Sequence, residues 1–112
     1  MHQSEIRIGV TLDDTRMPEA INWQAADSGT PGQQQAKAML LSLWDGQEKT
    51  ALRIDLWTKK MMVDEMNDFI YQTLAGIANT YSSATQNTAL AAELKAFAQE
   101  FHRKATEALA EG

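Results

Sequence analysis

The two histidines are the first candidates for chemistry in this chain, because imidazole titrates near neutral pH and is a common metal ligand. His2 lies at a chain end that we expect to fray, and His102 has no His, Asp or Glu three or four residues away. Metal sites on a helix need that spacing, since it sets two ligands on one face. We therefore predict no metal site and interpret both histidines as surface residues.

Two pairs of adjacent carboxylates are the next candidates, since acid–base catalysis often uses two acidic groups. They are Asp13–Asp14 and Asp64–Glu65. Side chains that are neighbours in sequence diverge on a strand or a helix, so we do not expect either pair to face one substrate. Roles in a turn and at a helix N-terminus explain the two pairs better.

Other signatures of enzymes are missing from the sequence. The chain has no Walker A, GxGxxG or GxSxG pattern, and it contains no cysteine. The lack of cysteine also excludes a cysteine nucleophile, a disulfide framework and a thiolate metal site. We therefore predict no catalytic residue, no enzymatic activity and no cofactor.

The composition is that of a small acidic globular protein. With 112 residues and 44% hydrophobic content, the chain is predicted to form one domain spanning residues 1–112. Ten basic and fifteen acidic residues give a net charge of −5, which disfavours nucleic acid and anionic membranes as partners. The sequence opens on no signal-peptide pattern, and no apolar run reaches the length of about 18 residues that spans a membrane. We expect a cytoplasmic protein without membrane insertion.

The first half of the chain has the pattern of β-strands. Apolar residues recur there at every second position, as in a strand that is buried on one face. Ile6, Ile8 and Val10 show this alternation, and Ile21 and Trp23 resume it after a turn-rich segment. The predicted strands are residues 4–13, 20–26, 36–45 and 50–59.

The second half has the period of helices. From Val63 onward the apolar residues are three or four positions apart, which predicts amphipathic helices at residues 63–81 and 88–110. Gly76 lies inside the first helix, and we interpret it as a site of close helix packing. The expected fold is α+β: a four-stranded antiparallel sheet followed by two amphipathic helices packed on one face.

The hairpin formed by the third and fourth strands has two different faces. If its loop is Gly46–Lys49, paired residues have numbers that sum to 95. One face is then wholly apolar, and we predict that it forms the core with apolar residues of the helices. The predicted core residues are Leu41, Leu43, Ile54, Leu56, Ile70, Leu74, Phe97 and Phe101.

The opposite face of this hairpin, here called the mixed face, combines large apolar and charged side chains. It consists of Leu40, Trp44, Arg53, Asp55 and Trp57. Large apolar residues on a wet sheet face are typical of contact surfaces, so we predict an interaction surface here. The alternative is that the tryptophans belong to a local core covered by the loop at residues 29–35 or by the C-terminal helix. A homodimer or larger homo-oligomer is the simplest assembly of such a face.

Four segments of the chain carry a resemblance to a known family. They are "SEIRIGVTLDD", "PEAINWQAADSG", "KAMLLSLWD" and, above all, "LRIDLWTKKMMVDEM". Together they resemble the gliding-motility-associated protein GldC family, over residues 4–85 and more weakly over the last helix. The fourth segment is the most specific, because its Trp and Asp positions and its strand-to-helix order are unlikely to recur by chance. Met62 departs from the family pattern, in which a proline is common at this position.

The resemblance implies a small cytoplasmic protein that is accessory to gliding motility, with no established enzymatic activity or cofactor. It supplies no catalytic residue that could be carried over to this chain. The order of strands and helices is also similar to that of the export chaperone SecB. Two functions therefore stay open: an adaptor of motility or envelope machinery that works by protein contact, and a chaperone or holdase that binds unfolded segments. A small-molecule or enzymatic role ranks third.

Overall fold

The computed structural model describes residues 1–27, 29 and 32–111, and the chain forms two compact units. The strand unit is Met1–Met61 and the helical unit is Met62–Gly112. The strands within the described residues are β1 (Ile6–Leu12), β2 (Pro18–Ala25), β3 (Gln34–Ala36), β4 (Ala38–Asp45) and β5 (Thr50–Trp57). The helices are α1 (Val63–Thr85) and α2 (Thr88–Glu111). The α+β class is confirmed, whereas the single domain and the packing of both helices on one sheet face stay predictions.

The prediction of one four-stranded sheet is wrong. The strands form two antiparallel sheets, β1-β2-β3 and β4-β5. The predicted third strand is interrupted by a bend at Lys37, so that β3 pairs with β2 while β4 pairs with β5. The β2–β3 register matches Ile21 with Ala36, and the ladder ends at this pair, just before the bend.

Ile21 of β2 is the buried apolar residue of the strand unit, among the residues that the structure describes. Val10 pairs with Ile21, and Ile21 is only 2% exposed. The register shifts between Thr11 and Leu12, just before the turn that connects the two strands. The predicted loop at residues 29–35 includes residues 30 and 31, which lie outside the described residues, and its last two residues are the start of β3.

The register of the β4–β5 hairpin is confirmed. Leu43 pairs with Leu52 and Leu41 with Ile54, so that paired numbers sum to 95 along the whole ladder. The loop is Gly46–Lys49, in which Lys49 has a left-handed φ of 55°. The Asp45 carboxylate accepts a hydrogen bond of 2.9 Å from the Gln47 N–H. The Asp-Gly sequence therefore starts a four-residue loop rather than a two-residue turn.

Local hydrogen bonds set the ends of both helices. The Met62 N–H donates to the Glu65 carboxylate over 3.1 Å at the start of α1, as in a capping box. Gln86, with a left-handed φ of 63°, ends α1. The Asn87 side chain then accepts from the Leu90 N–H over 3.0 Å and caps α2. The helix prediction for α1 stopped four residues early, because the polar residues after Tyr81 continue the helix.

The predicted core is wrong in extent. Leu43, Ile54 and Phe97 are 57%, 51% and 61% exposed, and the other predicted core residues are half-buried. Among the described residues of the helical unit, the buried ones are instead alanines: Ala78 of α1, and Ala91 and Ala98 of α2. The two helices contact each other through these small side chains, and the large side chain of Phe97 lies outside that contact.

The interpretation of Gly76 as a close-packing site is also wrong. Gly76 is exposed, and a Cβ added to it would meet no atom within 4 Å. The glycine therefore weakens α1 without making room for a neighbour.

Candidate functional site

The β4–β5 ladder sets all five residues of the mixed face on one side of the hairpin. Side chains on an antiparallel pair share a face when they lie opposite each other or two residues apart. Leu40 lies opposite Asp55, and Arg53 and Trp57 lie two residues to either side of Asp55. Trp44 belongs to the same face and lies opposite Ala51. The face of a side chain depends only on whether its position in the strand is odd or even. The predicted register was therefore sufficient to place these five residues on one face.

The two tryptophans are the most prominent feature of the mixed face. Trp44 is 70% exposed and Trp57 is 58% exposed, while Leu40 is half-buried. Both rings are therefore exposed, whereas residues of a local core would be covered. The roles of the five residues as an interaction surface stay a prediction. Tryptophan is also among the residue types that most often anchor protein–protein contacts.

A bidentate ion pair separates the tryptophans. The Arg53 guanidinium donates from Nε to Asp55 Oδ2 over 3.1 Å and from Nη2 to Asp55 Oδ1 over 2.8 Å. Both residues belong to β5 and lie two positions apart, so the pair runs along the strand. Their side chains remain 47% and 41% exposed, which leaves lone pairs and N–H groups able to bond a partner.

Thr58 fixes the end of the hairpin next to Trp57. Its N–H donates to the Lys37 carbonyl over 2.8 Å and its hydroxyl donates to the same oxygen over 2.9 Å. Thr58 is buried, so these bonds are shielded from water and hold the end of β5 to the bend at Lys37. The backbone that carries Trp57 is therefore anchored, although its ring is exposed.

The sequence of this strand unit and of the helices that follow matches a family over residues 18–107. That family is described as gliding motility-associated protein GldC-like. The chain belongs to the GldC-like family. The match includes most of α2, which the resemblance covered weakly, and leaves out β1, which the resemblance included. No curated protein and no solved structure matches the chain in the corresponding comparisons.

The mixed face lies wholly inside the part of the GldC-like chain that matches the family. Neither helix has a stretch that is both long and apolar enough to cross a bilayer, within the residues that the structure describes. Across those same residues, no three His, Asp or Glu side chains come together in the way that metal ligands do.

Asp13 of the GldC-like chain has the turn role that the sequence indicated. Its carboxylate accepts from the Thr15 N–H over 2.9 Å, from the Thr15 hydroxyl and from the Met17 N–H. Lys59, which follows β5, lies 2.5 Å from the same carboxylate. The bond with Lys59 is the main cause that lowers the pKa of Asp13, followed by the bonds from Met17 and Thr15. These contacts tie the β1–β2 turn to the segment after β5.

His102 has a partner that sequence reasoning missed. Its Nε2 lies 2.8 Å from Asp68 Oδ1, and its ring lies 4.6 Å from that of Tyr71, at 39° between the planes. The His102 side chain is still 36% exposed, so it lies at the surface as predicted, but it has a partner there. Asp68 and Tyr71 belong to α1 whereas His102 belongs to α2, so no spacing within one helix could have indicated the contact.

Proposed function

We propose that this GldC-like chain is a non-enzymatic, cytoplasmic accessory protein of gliding-motility or cell-envelope machinery that acts by protein contact through the mixed face. Membership in the family supports the link to gliding motility. The observation that carries the contact role is the exposure of Trp44 and Trp57 on one face, on either side of the Arg53–Asp55 pair.

The chemistry of the mixed face favours a folded partner with a defined orientation. Burial of two indole rings supplies most of the binding free energy in such a contact, because aromatic anchors dominate interface energetics. The Arg53–Asp55 pair presents one donor fork and one carboxylate in a fixed order along β5. A partner with the complementary order of charges is selected over one with the reverse order.

Capture of partners from the native cells tests this proposal. The wild-type chain and Trp44→Ala serve as baits, and Phe97→Ala serves as a matched control because Phe97 is also an exposed aromatic but belongs to α2. We expect one defined partner that Trp44→Ala loses and Phe97→Ala retains. A partner that binds Trp44→Ala as well as it binds the wild type would contradict the role of the mixed face.

A chaperone or holdase is the second candidate function. The supporting observation is that the apolar face of the same hairpin is also open, with Leu43, Leu52 and Ile54 exposed. Exposed methionines at positions 17 and 62 add an adaptable apolar surface. A chaperone would suppress the aggregation of chemically unfolded reporter proteins at a near-stoichiometric ratio and capture many unfolded clients. Failure to suppress aggregation, together with one defined partner, would leave the adaptor.

A further inference from the structure

β5 is an edge strand with both faces and one edge open. Every residue of β5 except Leu56 is exposed. Among the residues that the structure describes, β4 is the strand that pairs with β5, and no strand pairs with the outer edge of β5. Unpaired strand edges are templates for pairing with another chain, and a two-stranded sheet is marginally stable without further strands or packing.

The hydrogen bond from the Thr58 N–H to the Lys37 carbonyl continues the β4–β5 ladder. It therefore shows which residues of β5 direct their backbone groups toward β4. In an antiparallel pair, successive residues direct their backbone groups alternately toward and away from the neighbouring strand. Ile54, an even number of residues from Thr58, therefore directs its N–H and C=O to β4. Arg53 and Asp55 direct theirs to the outer edge, where a further strand can bond them.

The charges of β5 are complementary to those of a second, antiparallel copy of the same strand. Leu52–Leu56 reads Leu-Arg-Ile-Asp-Leu, with opposite charges on either side of Ile54. Pairing centred on Ile54 sets Arg53 opposite Asp55 of the second copy, twice across the twofold axis. Moving the centre by one residue sets Arg53 opposite Arg53 or Asp55 opposite Asp55, which is unfavourable. Charge therefore selects one register.

Side-chain size supports the same register. With Ile54 at the centre, Trp57 lies opposite Ala51 of the second copy, and Ala51 itself lies opposite Trp44 within each hairpin. The row that contains Trp57 then alternates small and large residues across the four strands, from Ala38 to Trp57 and on to Ala51 and Trp44 of the second copy. On the other face, Leu52 would lie opposite Leu56 of the second copy and extend the apolar surface.

β1 is also an edge strand, but it lacks this complementarity. It pairs with β2 on one side and is exposed along its length. Arg7 is its one charged residue. No register of β1 against itself therefore offers Arg7 a carboxylate within the paired strands.

From these observations we infer that a second copy of the chain pairs antiparallel with the outer edge of β5, centred on Ile54, and forms a continuous β4-β5-β5-β4 sheet. The pairing uses the edge of the hairpin, whereas the proposed adaptor contact uses its mixed face. Each can therefore hold without the other. The pairing sets two mixed faces side by side on one surface.

Cysteine cross-linking tests the register, since the chain has no native cysteine. Opposed residues of a non-hydrogen-bonded antiparallel pair have Cα atoms about 4.5 Å apart, which a disulfide can span. Ile54→Cys should therefore form a disulfide-linked dimer on mild oxidation. Leu52→Cys is the matched control: alone it should not cross-link, but mixed with Leu56→Cys it should. Equal cross-linking of the first two variants would overturn the register.

Charge reversal tests the pairing independently of cysteine. Arg53→Asp and Asp55→Arg each set like charges opposite each other, so each should weaken self-association by about tenfold or more in sedimentation experiments. An equimolar mixture of the two variants, and the double variant R53D/D55R, should regain association because both restore opposite charges. Arg7→Asp on β1 is the control and should associate like the wild type. The inference would be overturned by a wild type that is monomeric at all concentrations, or by single variants that associate normally. Loss of a partner by Trp44→Ala is a separate result that tests the adaptor proposal alone.

Discussion

Asp13 is a single residue on which the β1–β2 turn depends, because its carboxylate is bonded by Thr15, Met17 and Lys59. These bonds, that from Lys59 first, lower its pKa in the folded state. A carboxylate with a lowered folded-state pKa adds stability above its unfolded pKa of about 4, and that stability is lost as the pH falls toward the folded value. Asp13→Asn should therefore be less stable than wild type at pH 7, and the difference should shrink in acid.

Urea denaturation at neutral and acidic pH measures this difference. Introducing Lys59→Gln into the wild type and into Asp13→Asn completes a double-mutant cycle. Because Lys59 is the largest cause of the lowered pKa, the effect of Asp13→Asn should be smaller without it. A difference between wild type and Asp13→Asn that stays constant with pH would contradict the role of the ionised carboxylate.

The sequence predicted the turn role of Asp13 but not the partner of His102. The position of Asp13 at the end of an alternating strand was enough to predict a turn residue, since its bonds to Thr15 and Met17 are local. The bond between His102 and Asp68 spans 34 residues and joins two helices. Such a pair depends on how α1 and α2 pack, and no local pattern encodes that.

At the scale of elements, the hairpin loop contains a strained position. Lys49 has a left-handed φ of 55°, which costs a non-glycine residue about 1 kcal/mol. Lys49→Gly should raise the free energy of unfolding by roughly 0.5 kcal/mol, because the greater chain entropy of glycine offsets part of the gain. Gly46→Ala in the same loop is the control. It should be close to neutral in denaturant melts, since Gly46 has no positive φ and an added Cβ would meet no atom within 4 Å.

Gly76 offers a second test at this scale, in the exposed middle of α1. Gly76→Ala should raise the free energy of unfolding by about 1 kcal/mol, because alanine has the higher helix propensity and the added methyl group meets no neighbour. Ala92→Gly, at an exposed position of α2, should lower it by a similar amount. Helical circular dichroism during denaturation measures both. A destabilised Gly76→Ala would show that the position is packed against something.

The elements that could be predicted are those whose signals are local. The β4–β5 register followed from a period of two and the position of a four-residue loop, and the helix ranges followed from a period near 3.6. The break at Lys37 could not be predicted, because it depends on where β2 stops pairing with β3. The exposure of Leu43 and Ile54 was missed for a similar reason: apolar periodicity identifies a face but not what covers it.

At the scale of the whole molecule, an acidic chain with a net charge of −5 carries a neutral ion pair between two exposed tryptophans. Net charge keeps such a chain soluble and apart from other acidic surfaces. The Arg53–Asp55 pair has no net charge, so this repulsion is weaker at the mixed face. The contacts proposed above, at the mixed face and the adjoining edge of β5, would therefore meet less repulsion than a contact at the strongly charged surface of α2.

Trp57→Ala separates a contact role from a structural one for the whole chain. Because Trp57 is more than half exposed, its truncation should change the free energy of unfolding by less than about 1 kcal/mol. Loss of an interface anchor should weaken self-association or partner binding by roughly 1 to 4 kcal/mol. Phe97→Ala, at an exposed aromatic of α2, controls for the loss of ring area. Sedimentation across a concentration series, run beside a denaturant melt of each variant, measures both quantities. If Trp57→Ala instead lowers stability by about 3 to 5 kcal/mol and leaves association unchanged, the tryptophans of the mixed face belong to a core, and the contact role is refuted.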